Sequence, residues 1–232
     1  VVDAPRAPAS FAARLRAGRW FAELEPALQQ ALLGAARVRA LVPGEVLFAR
    51  GDPPSGMFAV VEGALRVTAV TAAGREVVLT RMEPPAWFGE LAVFDEQPRT
   101  HDAIADGATV VVHVPQAALH ALLAHEPRWW RALGVLAAGK LRLTFAAMED
   151  AATLPVGARL ARRLVLLAEG HGEHVGHRRR VVTVSQEQLA SMLGASRQTV
   201  NAALKEWESR GVLRVTYGQI ELIDVDALRD AG

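Results

Sequence analysis

The 232-residue chain has no cysteine. Disulfides, thiolate-bound metal and cysteine-ligated iron–sulfur clusters are thereby excluded. No apolar run reaches the roughly 20 residues that a membrane-spanning helix requires. The opening residues, VVDAPRAPASFAARLRAG, show no apolar core followed by a cleavage site, so no secretory signal is expected. The expected location is cytoplasmic, with no membrane partner. Alternation of strands and helices around a GxGxxG turn is also missing, which argues against a dinucleotide-binding fold. No nucleophile, base and orienting group form a convincing set, so no catalytic residue is expected and the chain is not read as an enzyme.

What is present is unevenly distributed. The net charge is +1, yet residues 155–214 hold ten Arg and Lys against five acids, while residues 1–154 hold fifteen against sixteen. A basic segment that also carries a helical motif is a candidate nucleic-acid surface. His171, His174 and His177 recur every third residue in a glycine-rich stretch, which reads as a solvated loop rather than a metal site. No metal ligand is expected.

Hydrophobic periodicity divides the chain into three parts. Residues 11–39 carry an irregular apolar stripe and read as helical. From Val42 to Pro115 the chain is a series of short β-rich runs, EVLFAR, GMFAVVEG, ALRVTAVT, REVVLTRM, THDAIA and ATVVVHV, separated by glycine turns. Many short strands at such spacing predict a sandwich or jelly roll. Residues 116–125 predict a short helix. The run from Pro127 to Ala152 then places Trp130, Leu133, Ala137, Leu141, Thr144, Met148 and Ala151 three and four apart, the seam of a heptad helix. Pro127 suits its first turn and Pro155 follows its end. A helix this long and one-sided is read as pairing with its own copy in a homodimer.

Two motifs carry the chemistry. Phe88 to Thr100 reads FGELAVFDEQPRT. Gly89 lets backbone approach a ligand closely. Glu90 offers a carboxylate to sugar hydroxyls, Leu91 to Val93 would make one helical turn, and Arg99 supplies a fixed positive fork for phosphate. One acid for ribose and one arginine for phosphate make a cyclic-nucleotide site. Further on, Val184 to Arg210 reads VSQEQLASMLGASRQTVNAALKEWESR. Ser185 and Gln188 fit a capping box, Gly194 a turn, and Ser196 a second N-cap, with Leu189, Ala190, Leu193, Val200, Leu204 and Trp207 facing inward. That is a helix-turn-helix. On its second helix Arg197 suits guanine, and Gln198 and Asn201 suit adenine. Ser196, Thr199 and Lys205 are better placed for phosphate oxygens. Gly211 to Ile223 reads as a two-stranded wing turning at Tyr217-Gly218.

Together these runs resemble the cyclic-AMP receptor protein / fumarate–nitrate reduction regulator (CRP/FNR) family of bacterial transcription regulators. LVPGEVLFARGD and GMFAVVEGALRV are similar to its glycine-marked strands, and the likeness extends over nearly all of the chain from about residue 20. The resemblance implies an α+β fold: a cyclic-nucleotide-binding-type β-roll at residues 1–126, a dimerisation helix at 127–153 and a winged helix-turn-helix at 154–232. By position, Gly89, Glu90, Leu91, Arg99 and Thr100 take the nucleotide contacts, and Thr144 falls where the family has a threonine that touches adenine. Departures are visible. The interval from Glu90 to Arg99 is one residue shorter than in the family's receptor protein, and His101-Asp102 replaces a small residue. Phe145 stands in place of a second hydroxyl. On the reading helix, Gln198 stands where that protein has glutamate and Ala202 where it has arginine.

The resemblance implies a homodimeric, sequence-specific DNA-binding transcription regulator. Its effector would be a cyclic nucleotide such as cyclic AMP (cAMP), and its target double-stranded DNA with a near-palindromic operator. RNA polymerase is a further expected partner, through residues 171–177. Two other readings stay open: a same-family regulator that answers to a cyclic dinucleotide, a haem-bound gas or no ligand, and a cyclic-nucleotide-binding module that acts on a partner protein.

Overall fold

The computed structural model describes residues 7–171 and 180–230. A 3-10 turn (Pro8–Phe11) leads into three short helices, α1 (Ala12–Leu15), α2 (Arg19–Glu23) and α3 (Pro26–Ala35). The stretch expected as helix through residue 39 therefore ends earlier. Its last residues form a strand, β1 (Arg37–Leu41), whose only buried member is Leu41. Seven more strands follow: β2 (Val46–Phe48), β3 (Gly56–Glu62), β4 (Leu65–Val70), β5 (Glu76–Met82), β6 (Trp87–Phe88), β7 (Asp102–Ala105) and β8 (Thr109–Pro115). A short helix, α4 (Leu91–Asp95), interrupts them after β6.

These strands form two antiparallel sheets, ordered β1-β8-β3-β6 and β2-β7-β4-β5. Side chains alternate across a strand, so a strand covered on both faces must be apolar on both. β3 is such a strand. Its Phe58 and Val60 join Leu47, Leu65 and Ala103 inside the roll, between the sheets. Its Met57, Ala59 and Val61 face outward, where Phe21, Leu28, Leu32 and Trp87 cover them. The helical layer also includes α5 (Gln116–His125), whose Leu119 and Leu123 are buried in it.

A second 3-10 turn (Pro127–Trp129) runs into α6 (Trp130–Thr153). Its predicted seam divides into two parts. Leu133 of that seam, with Leu136 outside it, is buried in the α/β core of its own domain, and Trp20 Nε1 donates to Ala132 O at 2.8 Å. The first turns of the helix are thus occupied within one chain. Beyond them, Leu141, Phe145 and Met148 are 53, 59 and 62% exposed. These three recur at heptad spacing on one face, so Phe145 belongs to the open stripe although the expected seam left it out.

The chain bends at Leu154-Pro155 into α7 (Val156–Ala168). The last part comprises β9 (Val181–Thr183), α8 (Gln186–Leu193), α9 (Arg197–Ser209), β10 (Leu213–Thr216), β11 (Gln219–Leu222) and α10 (Val225–Arg229), with a sheet ordered β10-β11-β9. Its core gathers Leu160, Leu164, Leu189, Val200, Leu204 and Trp207. α8 docks on the edge strand β5, where Val78 N donates to Ser191 Oγ at 2.7 Å, and on the residue after β7, where Gln188 Nε2 donates to Asp106 Oδ2 at 3.3 Å. His171 belongs to the same contact, its Nε2 lying 2.9 Å from Thr80 Oγ1. It is therefore held against the roll rather than solvated, while His174 and His177, with most of the expected polymerase contact, lie outside the described residues. No helix among the described residues is long and apolar enough to cross a membrane.

Candidate functional site

The cassette from Phe88 to Thr100 is built on two close approaches. Gly89 takes φ +94°, and a Cβ there would come within 2.8 Å of Gly56 O and 2.9 Å of Arg99 Nη1. Glycine is thus the seat on which the arginine lies. Gly89→Ala is expected to cost about 2–4 kcal/mol through backbone strain and overpacking, read as a lower midpoint in urea denaturation. An unchanged midpoint would mean that the loop has room to give.

Arg99 itself is only 5% exposed. Its Nη2 donates to Gly56 O at 2.7 Å and Ser55 Oγ at 3.0 Å, and its Nη1 to Gly89 O at 3.3 Å. The guanidinium lies 4.4 Å above the Phe48 ring and 5.6 Å from Phe58. Its Nε is buried without a partner among the described residues. Burial lowers its pKa, and the nearby Glu90 and Asp52 charges oppose that. The group remains cationic, since arginine does not deprotonate in proteins. Its hydrogen-bond acceptors are all neutral, so its charge is left to attract an anion.

Glu90, 3% exposed, follows at the start of α4. Its Oε2 accepts from Lys140 Nζ at 2.7 Å, a bond that reaches across from the middle of α6. Lys140, rather than Arg99, is therefore the ion-pair partner of this carboxylate. Gln116 Nε2 donates to Ala92 O at 3.0 Å, and the Phe94 ring lies 5.2 Å from Trp130. The cassette is thus tied to α5 and α6 as well as to the roll.

The other expected cassette residues sit at its edge. Leu91 is 53% exposed. Thr100 is exposed, with its Oγ1 2.9 Å from His101 Nδ1. Thr144 is exposed too, one turn beyond Lys140, and its hydroxyl donates to Lys140 O at 3.0 Å. Within one chain it makes no hydrogen bond to the cassette. His101 and Asp102, which depart from the family pattern, are both held by local contacts. Burial and Arg50 hold the His101 pKa below its ordinary value against Asp102, which favours neutral imidazole. Asp102 Oδ1 accepts from Arg50 N at 2.7 Å. His113 stacks on Phe58 with ring centres 4.4 Å apart and binds Ser55 O at 2.7 Å. Sequence reasoning missed Lys140, Ser55, Phe48 and His113. Only Lys140 left a signal, standing four residues before Thr144 on the same helix face.

The reading head matches its sequence signature closely. The Ser185–Gln188 capping box is formed, and Gly194 closes α8 in the left-handed conformation at φ 60°. Ser196 Oγ accepts from Thr199 N at 3.0 Å and lies 2.8 Å from Thr199 Oγ1. Ser196, Arg197, Gln198, Thr199 and Lys205 are exposed and Asn201 is half-buried. Arg197, Asn201 and Lys205 are four apart and share one face of α9. Neither Arg197 nor Lys205 has an ion pair among the described residues. The wing hairpin projects Tyr217, fully exposed, at its tip.

Comparison with known proteins agrees with both halves. The cyclic nucleotide-binding domain family matches residues 38–126, and the Crp-like helix-turn-helix domain family matches residues 158–231. The chain is 32% identical to a "CRP-like cAMP-activated global transcriptional regulator" of Mycobacterium tuberculosis, over 90% of this chain and 93% of that one. It is 28% identical to the "Cyclic AMP receptor protein" of Thermus thermophilus over 83% of this chain and 87% of the relative. A solved CRP/FNR-family transcriptional regulator, also from Thermus thermophilus, superposes with a TM-score of 0.66 at 26% identity, covering 84% of this chain and 97% of that structure. A roll with this cassette, a long helix and a winged helix-turn-helix therefore occur in one chain in the family's order, and the protein belongs to the CRP/FNR family of transcription regulators.

Proposed function

We propose that this regulator works as a homodimer on a near-palindromic DNA operator under the control of a cyclic nucleotide, cyclic AMP first among them. The observation that carries the reading is the convergence of buried Glu90 and Arg99 at the roll with Lys140 from α6. A ribose hydroxyl would compete with Lys140 for Glu90, and a cyclic phosphate would face Arg99. The Mycobacterium tuberculosis relative, named as cAMP-activated, favours this nucleotide.

Effector binding would then act through the long helix. Releasing Lys140 from Glu90 changes the contact between cassette and α6, which gives a ligand the differential interaction that any population shift requires. The bend at Leu154-Pro155 would pass that change to the reading heads. Two heads must sit about 34 Å apart to enter successive major grooves. Titration calorimetry with a panel of cyclic nucleotides, followed by gel shifts with and without the binder, tests the reading. Absence of any binder would favour a family member that works without ligand.

On DNA, Arg197 is the proposed guanine contact and Gln198 and Asn201 the proposed adenine contacts, with Ser196, Thr199 and Lys205 on phosphates. Arg197→Ala should cost about 1–3 kcal/mol of discrimination at one base pair per half-site, measured by competition gel shift at fixed salt. Equal losses on operator and random DNA would place Arg197 on the backbone instead.

A further inference from the structure

At the bend where α6 passes into α7, these two helices and the end of α8 enclose a cleft of about 540 Å³. It is separate from the cassette and shares no lining residue with it. Four arginines line it: Arg159, Arg162 and Arg163 from α7 and Arg229 from α10. Arg159, Arg162 and Arg163 stand three and four apart, so like charges crowd one helix face. Two of the four are neutralised within the chain, Arg162 by Asp150 and Arg229 by Glu169. The other two form no ion pair among the described residues, although the Asp150 charge also reaches Arg163. Arg163, half-buried, has neither a hydrogen bond nor an ion pair among the described residues. Arg159 donates one Nη to Leu193 O at 3.1 Å, and its Nε is buried without an acceptor.

We propose that this cleft is a second ligand site, for a small molecule with a phosphate or pyrophosphate group bearing at least two negative charges. Two guanidinium groups without an ion pair of their own favour a ligand with two charges, and their planar forks suit phosphate oxygens better than a monovalent ion. The volume falls within the range of small-ligand pockets. Asp150 and Glu169 already hold Arg162 and Arg229, so a ligand need only supply the missing anion. An occupant would bridge the long helix and the reading head across Leu154-Pro155, fixing the angle between them.

The probe is inorganic pyrophosphate, titrated calorimetrically into the full-length chain without DNA. One saturable site per chain is expected, and Arg163→Ala should weaken it by about tenfold or more. Arg163→Gln, which keeps most of the stem, should show the same loss if the alanine variant folds poorly. Arg197→Ala, on the exposed reading helix, should leave pyrophosphate binding unchanged. Cyclic-nucleotide affinity should be the same in Arg163→Ala and wild type, so failure here is distinct from failure at the cassette. No saturable binding, or equal binding in wild type and Arg163→Ala, overturns the proposal. So does a result in which only Arg197→Ala abolishes it, or in which Arg163→Ala instead lowers the salt dependence of DNA binding. That last outcome would assign the cleft to the DNA backbone.

Discussion

Arg99→Gln is expected to lower cyclic-nucleotide affinity by about two to three orders of magnitude. The argument is electrostatic and geometric. Arg99 is the buried cation of the cassette, and its three hydrogen-bond acceptors are two backbone carbonyls and a hydroxyl. A cyclic phosphate brought beside it would gain charge-assisted bonds in a site from which water is largely excluded. Losing such a partner costs about 3–4 kcal/mol, because the anion is left desolvated and unpaired. Glutamine retains much of the volume and some hydrogen bonding, so the roll should still fold. Arg99→Lys should fall between the two, keeping charge but losing the fork. Titration calorimetry checks the affinity, and thermal unfolding checks that the ties to Gly56 and Gly89 have not collapsed. Undiminished affinity in a folded Arg99→Gln variant would show that the phosphate sits elsewhere.

The second large effect concerns α6. Phe145→Glu should separate the proposed dimer and reduce operator affinity by about 10²–10⁴-fold. In a twofold interface a residue near the axis meets its own copy, so one substitution introduces two like charges into one apolar contact. Operator binding then loses the advantage of two linked heads, for which such factors are typical. Phe145 is 59% exposed in the single chain, so the monomer should fold normally. Sedimentation or light scattering reads the assembly, and gel shifts at constant salt read the DNA. A variant that stays dimeric would move the pairing surface away from the Leu141, Phe145 and Met148 stripe.

The two functional motifs were legible because their chemistry is local. Gly89, Glu90 and Arg99 lie within one short run, and Gly89 is needed for a contact that its own positive φ announces. The reading head was legible for a similar reason. Its caps at Ser185 and Ser196 and its turn at Gly194 act over three or four residues, and its apolar stripes follow the helical period. Other elements depended on distant partners. Residues 37–39 were expected within a helix, but pairing of Arg37 to Leu41 with His113 to Thr109 makes them part of the edge of a sheet. The periodicity of α6 reads as one stripe, and nothing in it distinguishes Leu133, spent on the domain core, from Leu141, left open.

The sequence by itself determined the two domain types, the long helix that joins them and the residues that could meet phosphate and DNA, because caps, turn glycines and side-chain periods are properties of neighbouring residues. Tertiary structure alone decided that Lys140 holds Glu90, that α8 rests on β5 through Ser191 and reaches Asp106 through Gln188, and that four arginines share a cleft at the bend. Those contacts join residues dozens of positions apart. They depend on how layers stack and which faces remain uncovered, and no local pattern encodes that.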